Sequence, residues 1–78
     1  MYNIEQLRGP FKKGNILINN STIRHLGIQA EPNTVFVMNG EEFEIGTTGI
    51  YEIEQVFITS LYFNKDINNA IIDYVIEI

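Results

Sequence analysis

Cysteine is absent from this 78-residue chain and histidine occurs once, as His25. The first absence excludes a disulfide and a thiolate nucleophile; the two together leave no cluster of ligands for a structural zinc. A single apolar core of this size supplies only about 3–5 kcal/mol. Stability therefore has to come from efficient packing or from partners. No apolar run approaches the roughly 20 residues of a membrane-spanning helix, and Met1-Tyr2-Asn3-Ile4-Glu5 lacks the basic start and apolar stretch of a secretion signal. Synthesis in a cytoplasm, with no membrane partner, is the expectation.

Basic residues are scarce beyond the first third. Up to Leu26 the chain carries Arg8, Lys12, Lys13 and Arg24 against Glu5 alone, whereas from Gly27 onward Lys65 is the only base among nine carboxylates. With a net charge of −5 and one basic pair, the chain is a poor match for a phosphate backbone, so nucleic acid is not expected as a partner. A basic segment joined to an acidic body instead suits attraction between identical neighbours.

What is present is the rhythm of short strands. Thr34 to Met38 and Glu41 to Ile45 flank Asn39-Gly40, a dipeptide that readily adopts the positive φ values of a type I′ hairpin turn. The two-residue loop fixes the register: Met38 faces Glu41, Val37 faces Glu42, Phe36 faces Phe43 and Val35 faces Glu44. Phe36, Phe43, Met38 and Ile45 then form the core face. Further strands are expected at Asn15 to Ile18, at Thr22 to Gln29 with a bulge at Gly27, at Ile50 to Ile53 after the tight Gly46-Thr47-Thr48-Gly49 connection, at Val56 to Phe63, and at Ala70 to Ile78. In the last of these Ile72, Tyr74, Ile76 and Ile78 share one face. The fold class is all-β: a small antiparallel β-sandwich or barrel over residues 21–78. Residues 1–20 are compatible with an edge strand, a short helix at Asn3 to Arg8, or an arm that packs on a neighbour. Tyr2, Ile4, Leu7 and Phe11 would be its apolar anchors, and Arg8, Lys12 and Lys13 its charges, for binding a partner.

Catalysis is not expected from this inventory. His25 lies in an apolar strand with no identifiable Ser or Cys nucleophile signature. Glu41, Glu42 and Glu44 divide between the two faces of the hairpin. A calcium loop starting at Asp66 would place Ile71 where glycine is required, and the Gly46 to Gly49 turn lacks the lysine and helix of a phosphate loop. No cofactor or metal is expected.

Four segments, Leu26 to Thr34, Ile45 to Ile53, Ile58 to Phe63 and Ile71 to Val75, together resemble a small β-domain of virion structural proteins from phages and prophages of Gram-positive bacteria. The resemblance covers about three quarters of the chain; Asn33 stands where that pattern has glycine. It implies a non-enzymatic virion building block, in the tail, the baseplate or beside the capsid, made in the bacterial host cytoplasm and held by other virion proteins and by copies of itself. The alternative is a small carbohydrate-binding module for host recognition, with Tyr2, Tyr51, Tyr62 and Tyr74 as candidate sugar platforms.

Overall fold

The computed structural model describes the backbone of Tyr2–Glu77 and the side chains of residues 3–77; the Tyr2 side chain and Ile78 lie outside the described residues. Six strands follow in order: β1 (Tyr2–Arg8), β2 (Ile18–Gln29), β3 (Val35–Met38), β4 (Glu41–Glu44), β5 (Ile50–Phe63) and β6 (Ile71–Glu77). They form one antiparallel sheet in the spatial order β1-β6-β2-β5-β3-β4, and there is no helix among the described residues. The fold is all-β, as expected. The segment before residue 20 contributes β1, which pairs with β6 from Tyr2↔Glu77 to Arg8↔Ile71. Neither a helix nor a detached arm forms there.

The hairpin adopts the register dictated by its loop, with Phe36 opposite Phe43 and Val37 opposite Glu42. Asn39 and Gly40 both have positive φ, 55° and 78°. The core face needs one correction. Phe36, Met38 and Ile45 are buried, but Phe43 is only half-buried, because β4 is the last strand of the sheet and no further strand covers its outer side. Val37, on the opposite face, is buried as well.

One pair of expected short strands proves to be a single long one, and another strand is longer than expected. Those at 50–53 and 56–63 join into β5; β2 carries the strand expected from Thr22 back to Ile18, while residues 15–17, expected to begin a strand of their own, form none. Alternation fails twice along each strand, which is why the sequence looked interrupted. On β2 the core-facing residues step by three from Ile18 to Ser21 and from Ile23 to Leu26; on β5 they step by three from Ile53 to Val56 and from Ile58 to Leu61. The slips coincide across the ladder, so Ile18 still faces Leu61, Ile23 faces Val56 and Leu26 faces Ile53. Asn20 and Gln55 take positive φ at these places, and the β2–β6 register shifts between Ile23 and His25. The bulge expected at Gly27 is thus displaced: Gly27 pairs regularly with both Asp73 and Glu52.

These irregularities allow the sheet to double back. A straight 14-residue strand would extend about 46 Å, longer than the 33 Å greatest dimension of the molecule. Phe36 pairs with Phe63 at the end of β5, yet its ring lies 5.0 Å from that of Tyr51 near the start. The two halves of the sheet therefore face each other like the layers of a sandwich. Between them lie Ile23, Leu26, Ile28, Phe36, Ile45, Ile58, Leu61, Phe63 and Ile72, all essentially inaccessible.

Asn39 secures one of the bends. Its Oδ1 accepts from the Thr59 N–H at 2.7 Å and the Thr59 hydroxyl at 2.9 Å, while its Nδ2 donates to the Phe57 carbonyl at 2.9 Å. Thr59 lies where the β2–β5 ladder skips a pair, so the hairpin turn supplies hydrogen bonds that the ladder does not. Asn39→Gly keeps the turn conformation and removes this clamp; a loss of about 1–2 kcal/mol is expected. Asn39→Asp keeps the acceptor and should lie between Asn39→Gly and the parent in thermal denaturation followed by circular dichroism.

Candidate functional site

The described chain has no buried polar or charged residue and no group of three metal-ligating side chains. Every described polar or charged side chain is therefore at least partly exposed. His25 is half-buried on the outward face of β2, where its Nε2 lies 3.5 Å from Glu52 Oε2. Of the tyrosines proposed as sugar platforms, Tyr51, Tyr62 and Tyr74 are all half-buried. Tyr51 packs among Phe36 and Phe43, and burial raises its pKa. The Tyr74 pKa is also raised, by burial first and by the nearby Glu5 charge second. A cleft of about 590 Å³ opens beside Arg8, Gln29, Glu31, Thr48 and Asn68, but no aromatic ring lines it.

The residues expected to bind a partner separate into two groups. Ile4 is 82% exposed, on the outward face beside Val75. Arg8, Lys12 and Lys13 are exposed too. Arg8 Nε donates to Gln6 Oε1 at 2.9 Å, and Gln6 Nε2 donates to Asp73 Oδ1 at 2.7 Å, which fixes the outer surface of β1 on β6. Leu7 and Phe11 turn the other way. Leu7 faces Ile72 and packs on the core. Phe11 is buried, stacked on Phe63 at 5.6 Å, and bridges to Ile67 through two backbone hydrogen bonds of 2.7 and 2.9 Å. Phe11 is thus not a partner anchor, because it fills its own domain's core; Leu7 is largely committed in the same way. The Tyr2 side chain falls outside the described residues.

At the far end of the sheet, β4 presents Glu41, Glu42 and Glu44, all exposed. The sheet is thus open, ending in β1 on one side and in this acidic strand on the other. No family model, curated protein or solved structure matches the chain. Its two ends are therefore read from their own chemistry. An unpaired row of N–H and C=O groups is a template for another strand. β4 is short and densely charged, both devices that discourage such pairing; β1 is longer and carries an exposed isoleucine. Sequence reasoning grouped Ile4, Leu7 and Phe11 as anchors because it could not tell which faced inward: Asn3, Glu5 and Leu7 on the core side are no more apolar as a set than Ile4, Gln6 and Arg8.

Proposed function

We propose that the protein is a non-enzymatic structural component of a bacteriophage particle, held among other virion proteins and copies of itself by its N-terminal segment and sheet edges. The observation that supports this reading best is the open sheet, whose terminal strands differ in chemistry. Arg8 is exposed on β1 and Lys12 and Lys13 on the connection to β2, where Asp66 and Phe63 accept hydrogen bonds from the backbone of residues 13 and 14, while Glu41, Glu42 and Glu44 are exposed on β4; this separation of charge suits contacts with like chains and other virion proteins through surfaces beyond the strand edges. The absence of a buried polar group among the described residues suits a building block rather than a reaction centre. In this role the chain is made in the host cytoplasm, incorporated into the virion, and needs no cofactor.

The test uses charge reversal where the fold tolerates it. Asp66 Oδ1 accepts from the Lys13 N–H at 2.8 Å, so Lys13 is better replaced by Gln than by Glu, which would add a like charge there. Lys12→Glu with Lys13→Gln should lower the copy number in purified particles several-fold while melting like the parent. The difference should widen at low salt, where screening is weaker than the ~10 Å Debye length at 0.1 M allows. Incorporation at the parental level at every salt concentration would overturn the basic-segment contact.

A further inference from the structure

We infer that the free edge of β1 pairs with β1 of a second copy, antiparallel about a two-fold axis that brings Ile4 opposite Ile4. The inference rests on the assembly reading and assigns a partner to one of its edges. Seven residues of β1 pair with β6 on one side, and β1 is the terminal strand of the sheet. Next to its middle residue, Ile4 is 82% exposed, the most exposed large apolar side chain among the described residues. Neither proline nor lysine lies within the strand to blunt it.

The chemistry of the alternatives selects the partner. Pairing β1 with β4 of a neighbour would leave part of β1 unpaired, since β4 has four residues against seven, and would set one cation, Arg8, and one carboxylate, Glu5, against Glu41, Glu42 and Glu44; pairing β4 with itself would oppose carboxylates directly. Two β1 strands can avoid opposed carboxylates. A two-fold axis perpendicular to the sheet keeps each side chain on its own face, so some residue of β1 must face its own copy. Centring on Glu5 opposes two like charges. Centring on Gln6 sets Ile4 against Arg8. Centring on Ile4 joins the two exposed isoleucines, and on the other face sets Asn3 against Glu5 of the second copy, an amide donor beside a carboxylate. Val75 lies next to Ile4 on the same face and extends the apolar strip. One strand pair buries less than the roughly 1,200–2,000 Å² of a stable interface, so the joint is a reversible, concentration-dependent dimer that further virion contacts would reinforce.

Because the chain has no cysteine, single introduced thiols report the register cleanly. Directly opposed residues of antiparallel strands have Cα atoms about 4.5–5.5 Å apart, within disulfide range. Ile4→Cys should therefore form a disulfide-linked dimer under mild oxidation. In this register the two copies of residue 6 are offset by four residues, about 13 Å along the strand, so Gln6→Cys should cross-link at least tenfold more slowly. Sedimentation of the parent protein should show mass rising with concentration, and Ile4→Lys should remain monomeric with an unchanged circular dichroism spectrum. A parent protein that is monomeric throughout, faster cross-linking at residue 6 than at residue 4, or cross-linking of Ile4→Cys only in mixtures with Glu42→Cys would overturn the proposal. A chain that dimerises through Ile4 but never enters particles would keep the joint and remove the virion role; a chain that enters particles without cross-linking at residue 4 would do the opposite.

Discussion

Phe36→Ala is expected to leave most of the protein unfolded at room temperature. Phe36 is completely buried, stacked on Phe43 at 5.5 Å and 18° and set edge-on to Tyr51 at 5.0 Å and 65°. With Phe43, whose ring lies 5.8 Å from that of Tyr51, it holds the folded-back start of β5 against the hairpin. Truncating a buried phenylalanine costs about 3–5 kcal/mol, comparable with everything a core of this size provides. Phe43→Ala should cost less, because Phe43 is half-exposed at the sheet's last strand. Phe36→Leu, which refills most of the volume, should recover much of the loss. Urea titration followed by far-ultraviolet circular dichroism orders the three variants. A Phe36→Ala midpoint equal to that of the parent would mean that the two halves of the sheet do not pack through this residue.

Deleting residues 1–11 is expected to unfold the isolated protein instead of releasing a folded but assembly-deficient body. The deletion removes the whole β1–β6 ladder, the Gly9 N–H bond to the Ala70 carbonyl at 2.9 Å, and Phe11 from its stack on Phe63. The buried ring alone accounts for about 3–5 kcal/mol. Gly9→Val should weaken the same region less severely. A Cβ at Gly9 would meet the Asn68 carbonyl oxygen at 2.9 Å and the Ala70 nitrogen at 3.3 Å, both backbone atoms that cannot swing aside. Circular dichroism and sedimentation of the truncated chain decide the matter. A folded monomer with the parental melting temperature would show that the segment contributes nothing to its own domain. Charge substitutions at Lys12 and Lys13, and Ile4→Lys, therefore probe assembly more cleanly than truncation.

Local sequence by itself determined the all-β class, the Asn39-Gly40 hairpin with its complete register, and the inward set Ile72, Tyr74 and Ile76 on β6. Each of these depends on neighbours within a few residues: a turn that requires positive φ, or an alternation that one strand displays unaided. Tertiary structure decided what depends on distant partners. The continuity of β2 and β5 was hidden because their alternation slips twice, and only the opposite strand, slipping at the same places, restores buried against buried. The fate of Leu7 and Phe11 was hidden because an apolar side chain near a chain terminus serves a core or a partner equally well until Ile67, Phe63 and Ile72 are brought beside it. Asn39 as a clamp on Thr59 was invisible for the same reason, since its turn preference is local while its hydrogen bonds cross 20 residues of chain. The candidate edges belong to both levels. The basic and acidic residues were legible as composition, but a sheet edge exists only once strand order is known, and that order, with β1 and β4 left at the ends, follows from packing across the fold.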